Sequence, residues 1–120
     1  MPWSYLESAL TSSCPSFRHA WTMMRAGYPP HSPPTAEGFL RALRAHVIHS
    51  LEAGRVADVT RLFYAVERLL EGADPVLQEL LEEQLLRPLA AEFQQARLDP
   101  GLVLPHLGER SRAVWKKGEA

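Results

Sequence analysis

The sequence predicts an all-α protein, a compact bundle of about six short antiparallel helices or of stacked helical hairpins. Apolar residues recur at three- and four-residue spacing in segment after segment. Glycines, prolines and capping residues fall singly between those segments, and no stretch alternates with period two between hairpin turns.

Ser4-Tyr5-Leu6-Glu7 has the form of a capping box and predicts a first helix over about Tyr5–Leu10. Ser12-Ser13-Cys14-Pro15 interrupts it, and Pro15 suits the first turn of a second helix. There Phe17, Ala20, Trp21 and Met24 share a face, and Gly27 ends the helix. The four prolines of Tyr28–Pro34 exclude helix or central strand, so residues 28–35 read as a stiff extended connection. Thr35 caps a third helix over Ala36–Ala53, closed by Gly54, with Leu40, Leu43, Val47 and Leu51 inward and Phe39 and Ile48 beside them.

The fourth helix, Arg55 to about Glu71, carries the clearest stripe: Val59, Leu62, Phe63, Val66, Leu69 and Leu70. Gly72-Ala73 closes it, Asp74 caps the next helix and Pro75 takes its first position. Leu77, Leu81, Leu85 and Leu89 line one face of that fifth helix, with Leu80 beside them. Pro88 should end or kink it within a turn, with a continuation through Phe93 to Arg97. Asp99-Pro100-Gly101 is a turn, and a final helix over about Pro105–Lys117 points Leu107, Ser111, Val114 and Trp115 inward. The short connections favour antiparallel neighbours.

The chain has 120 residues, 46% of them apolar, enough for one domain over residues 1–120 that buries roughly two-thirds of its unfolded surface. Cys14 is the single cysteine, which excludes an internal disulfide and a cysteine metal cluster. The start, Met1-Pro2-Trp3-Ser4, does not read as a signal peptide, and no apolar run is long enough to span a membrane. The expected location is therefore the cytoplasm.

The net charge of −1 argues against nucleic acid or an anionic membrane surface as partner. Its distribution is uneven. Residues 1–66 hold six arginines and four acids, residues 67–92 seven acids and two arginines, and residues 93–120 five bases and three acids, giving +2, −5 and +2.

Candidate chemistry is sparse. His46, His49 and Glu52 sit three apart on the third helix, but a metal site needs three or four convergent ligands, and His19, His31 and His106 show no spacing that would supply them. A solvent-facing pair is the simpler reading, and no metal or cofactor is expected. Cys14 stands near a helix start, where its pKa can fall, yet no motif pairs it with a base. Ser12, Ser13 and Ser16 read as helix caps, and the seven glycines form no phosphate loop. No residue set reads as catalytic, so the chain is expected to be no enzyme.

The acids remain. Glu79, Glu82 and Glu83 can simply be the wet side of an amphipathic helix, with Glu83 placed four before Arg87 for a small ion pair. Alternatively Glu67, Glu71, Asp74, Glu79, Glu82 and Glu83, from two helices joined by a tight turn, converge into an acidic ridge that steers a basic partner.

Thr35 to Trp115 resembles a family of small, all-helical bacterial proteins of unassigned function, some members of which are immunity-like proteins encoded near secreted toxins. The resemblance lies in Glu37-Gly38-Phe39-Leu40, in Leu62-Phe63-Tyr64-Ala65-Val66-Glu67-Arg68-Leu69-Leu70 and the Leu-rich helix after it, and in Leu107-Gly108-Glu109-Arg110-Ser111-Arg112-Ala113-Val114-Trp115. Cys14-Pro15-Ser16-Phe17 ahead of a Trp-bearing helix fits the same pattern. Such motifs specify a fold more than a function. The resemblance implies no catalytic residue and no cofactor. The leading expectation is an immunity protein that occludes the basic active-site cleft of a cognate toxin through the acidic ridge. The alternatives are a helical adaptor or structural subunit acting as a homodimer or larger homo-oligomer, and, more remotely, a small hydrolase or metal enzyme built on the histidines.

Overall fold

Local capping chemistry sets several helix starts where the sequence puts them. The computed structural model describes residues 2–72 and 74–119; Ala73, expected in the turn after the fourth helix, lies outside them, as do Met1 and Ala120. Helix α2 (Pro15–Ala26) begins at its proline and α3 (Ala36–Glu52) begins at Thr35, whose hydroxyl accepts the Gly38 N–H at 3.1 Å. Gly54 follows α3 at φ +77°, a left-handed conformation that glycine adopts without a Cβ clash. Helix α4 (Ala57–Glu71) starts two residues later than expected, and α5 (Pro75–Leu81) is capped by Asp74, which accepts the Val76 N–H at 2.9 Å.

Helix α1 (Pro2–Ser13) is twice as long as its sequence reading. Proline is tolerated in a first turn, and Leu6 and Leu10 carry a buried face one turn apart. Ser4 therefore lies inside the helix, and the capping box does not form. Glu7 instead turns to α2, where it accepts from Trp21 Nε1 at 2.7 Å and pairs with Arg25.

Pro88 neither ends nor breaks the fifth helix. Residues Glu82–Leu86 widen into a π-helical turn, and the rod continues as α6 (Arg87–Gln95). The wider turn makes room for the pyrrolidine ring. In a regular α-helix an N–H at position 88 would bond the Gln84 carbonyl, but proline has none. That oxygen accepts instead from the Arg44 guanidinium of α3, which also holds Glu92 at 3.1 Å. A short 3₁₀ turn opens at Asp99, whose carboxylate accepts the Gly101 N–H, and a second, Leu104–His106, leads to α7 (Glu109–Gly118).

The expected all-α bundle is what forms: seven α-helical segments among the described residues, of which α5 and α6 are one continuous rod, and no strand. That rod runs through the middle, against α3 along its π turn and against α7 along α6. Helix α1 covers α2 and α4; α4 packs mainly on α1 and α7 rather than on its chain neighbour α3, so the simple run of adjacent hairpins is not the arrangement. Leu40, Leu43, Val47, Leu51, Val59, Leu62, Phe63, Val66, Leu70, Leu77, Leu81, Leu85 and Leu89 are all buried in one cluster, with Ser111, Val114 and Trp115 of α7. Met24 departs from its predicted face and is exposed, because α2 buries only Phe17 and Trp21. No helix among the described residues is long and apolar enough to cross a membrane.

Candidate functional site

The α4–α5 turn is drawn tight by Gln78, whose amide donates to the carbonyls of Leu70 and Gly72. This places Glu71 and Asp74 at one exposed end of the molecule. Asp74 is partly committed there, since one carboxylate oxygen holds the first N–H groups of α5. Beyond the turn, the outer face of the rod presents Val76, Glu79, Leu80, Glu83 and Gln84 at helical spacing. With Glu37 from the first turn of α3 these residues line a cleft of about 290 Å³. Val76 is 51% exposed and Leu80 half-buried, so the cleft combines two apolar side chains with three glutamates. Glu83 pairs with Arg87 at 3.0 Å, an exposed pair worth about 0.3–0.5 kcal/mol. Glu82 does not line the cleft; it is half-buried at the start of the π turn.

Glu67 corrects the six-residue ridge. It stands one turn before Glu71, but its carboxylate is committed elsewhere. Its carboxylate reaches the start of α7, accepting the N–H groups of Arg110 and Ser111 at 3.0 Å each and the Ser111 hydroxyl at 2.8 Å. It caps a helix 43 residues further along the chain. Gly108 makes this approach available, because a Cβ there would overlap the Glu67 carboxyl. Burial opposes ionisation of Glu67, but the three donors outweigh it and hold the carboxyl below its ordinary range. The sequence signal was present in the spacing: Glu67 follows Phe63 by one turn and so flanks the buried stripe rather than the wet face. Glu37, the carboxylate that does join Glu79 and Glu83, carries no such signal beyond its place in a first turn.

Asp58 performs a similar task for α2. It accepts the Ser16 N–H at 2.9 Å across 42 residues and pairs with Arg61 at 2.7 Å. The Ser16 N–H, the Arg61 guanidinium and the Ser16 hydroxyl lower its pKa to about 2. The Ser16 hydroxyl also lies 2.9 Å from His46 Nε2, so the pair is a hydrogen-bonded latch between α2 and α3. Its form is not that of a nucleophile and base: Asp58 binds the serine backbone rather than orienting the imidazole, and so occupies the N–H nearest the hydroxyl. Burial, followed by the charges of Arg55 and His49, pushes the His46 pKa down. Cys14 is buried, and that burial raises its pKa, the opposite of what its helix-start position suggested; the Phe17 N–H opposes the shift only in part. His49 and Glu52 are exposed, His106 bonds Thr60 at 2.9 Å, and no three metal-ligating groups come together among the described residues.

These latches give the fold an acid limit. Asp58 and Glu67 have folded pKa values below their unfolded ones, so their contribution is full above the ordinary carboxylate range and is lost as pH falls through the lowered folded values, about 2 for Asp58. His46, lowered in the fold, opposes folding in the same direction once pH drops through the ordinary histidine range. Urea midpoints should therefore decline steadily on acidification, and Asp58→Asn should flatten the lowest part of that decline. An unchanged acid limb in Asp58→Asn would show that the Ser16 latch does not contribute.

No curated protein and no solved structure matches the chain. A family model does match it, over residues 8–120, from the second turn of α1 through α7. The chain belongs to the family described as a domain of unknown function, DUF7674.

Proposed function

We propose that this chain is a non-enzymatic protein-binding module whose α5 face seats a basic partner, and that it serves in the bacterial cytoplasm as an immunity protein that covers a cognate toxin's active-site cleft. One observation carries the reading: Glu37, Glu79 and Glu83 line a single cleft together with the exposed Val76 and the half-buried Leu80. An apolar centre within a charged rim is the anatomy of a binding surface. The carboxylates would steer encounter with a basic partner, and the apolar pair would be covered once it docks. Glu71 and Asp74 extend the same negative field to the adjoining turn. Glu67 plays no part, since its carboxylate serves α7.

Reversing Glu37, Glu79 and Glu83 to lysine tests the face. Exposed charges contribute about 0–1 kcal/mol to folding, so the variant should melt close to the parent. Its association with the co-purified cognate partner should slow by about ten- to a hundredfold at low salt, and the parent's own on-rate should fall as salt is added. A folded variant that binds and neutralises the toxin at the parent's rate would remove this face from the contact.

A further inference from the structure

The exposed side of α4 carries a second surface that the acidic cleft does not use. Arg61, Tyr64 and Arg68 are exposed along it and, with the half-buried Ala65 and Leu69 and with Tyr5, Ala9 and Ser13 of α1, line a groove of about 710 Å³. Tyr5 is 62% exposed and Tyr64 59%. Tyrosine and arginine are the residues most enriched where proteins meet, whereas an ordinary wet helix face is built of lysine and glutamate. The Arg68 guanidinium lies 5.8 Å from the centre of the Tyr64 ring and donates to its hydroxyl at 3.1 Å. No carboxylate pairs with Arg68 among the described residues, and Arg61 gives one nitrogen to Asp58.

The order of these residues names the occupant. From Arg61 through Tyr64, Arg68 and Glu71 the stripe runs basic, aromatic, basic, acidic on one helical face. In an antiparallel pair of identical helices, residues equidistant from the two-fold axis face each other. Arg61 and Glu71 share the same midpoint as Tyr64 and Arg68. One axis therefore sets Arg61 against Glu71 of a second copy and Tyr64 against its Arg68, each contact occurring twice. A surface that matches itself under a two-fold closes at two copies rather than growing into a filament. An unrelated partner would require no such symmetry of charge.

We infer that the exposed face of α4, from Arg61, Tyr64 and Arg68 along the α1–α4 groove to Glu71 at the helix's end, is the interface of an antiparallel homodimer of this chain. It shares no residue with the cleft of Glu37, Glu79 and Glu83, and of the stripe only Glu71 also adds to the negative field offered to the partner, so Tyr64→Ala separates dimerisation from partner binding.

Sedimentation equilibrium of the full chain over a range of concentrations decides it. The parent should show a monomer–dimer equilibrium that weakens with added salt. Glu71→Arg should raise the dissociation constant by about tenfold or more, because it places like charges together at two symmetric positions. Arg61→Glu should do the same, and the double variant Arg61→Glu/Glu71→Arg should recover to within a few-fold of the parent. Tyr64→Ala, on an exposed ring away from the Asp58 pair, should weaken the dimer with an unchanged melting curve. This keeps the test independent of any effect of Arg61→Glu on folding. A parent that stays monomeric, that forms larger open assemblies, or whose dimer ignores Glu71→Arg and Tyr64→Ala overturns the inference.

Discussion

Phe63→Ala is expected to destabilise the protein by about 3–5 kcal/mol, a large part of the roughly 5–15 kcal/mol that holds a domain of this size together. Phe63 is fully buried on α4, and its helix is covered by α1 on one side and α7 on another. Truncation removes the transfer free energy of the ring and leaves a space the neighbours cannot close, because Leu62, Val66 and Leu70 are themselves pinned in the same stripe. Urea denaturation would read the loss as a lower midpoint with an unchanged slope. A variant that unfolds with the parent would mean that this face of α4 is wet, and with it the whole register of the central stripe would fail.

That register was legible because it is local. A helix declares its buried side within one or two turns, and the stripes of α3, α4 and α5 needed no knowledge of what they pack against. Capping by Thr35 and Asp74 was legible for the same reason, since donor and acceptor lie within three residues, as was the turn at Asp99. The misreadings are cases where contacts outside the local pattern decided the outcome. Pro88 should have stopped its helix, but the π turn absorbs the ring and Arg44, forty residues away, serves the carbonyl it leaves. Ser4 and Glu7 had the form of a cap, but proline at position 2 starts the helix earlier and Trp21 and Arg25 claim the carboxylate. Met24 sat at the right spacing, yet α2 lies at the edge of the bundle, with nothing left to cover its last turn.

The candidate site divides along the same line. Glu79 and Glu83 line one cleft because they are one turn apart on the same helix, which could be read from the sequence. Glu37 joins them only through the docking of α3 against the rod, which no spacing announces. Glu71 and Asp74 are exposed at the turn before that helix, and Glu82 does not line the cleft. The sixth, Glu67, was assigned by its charge, whereas its position one turn after Phe63 decides where it goes.

Glu67 carries the second large expected effect. Glu67→Ala leaves the Arg110 N–H, the Ser111 N–H and the Ser111 hydroxyl without their acceptor, and Ser111 is fully buried. Hydrogen bonds to a charged group contribute about 1.5–3 kcal/mol, and loss of a helix cap alone costs about 0.5–2 kcal/mol. The space above Gly108 lets water reach part of the vacated site, which places the expected cost at about 2–3 kcal/mol, within those ranges. Glu67→Gln separates charge from shape: its amide oxygen can still serve Ser111, but its NH₂ meets the Arg110 N–H donor to donor. It should recover roughly half the loss. The pH dependence then identifies the mechanism. The parent's Glu67 contribution is present above the ordinary glutamate range and disappears as pH falls through its lowered folded value, whereas Glu67→Gln has no proton to take up there. The stability difference between parent and Glu67→Gln should accordingly shrink on acidification. A difference that stays constant with pH would mean that the carboxylate's charge does not act on α7, and that Glu67 fills space beside Gly108 without capping the helix.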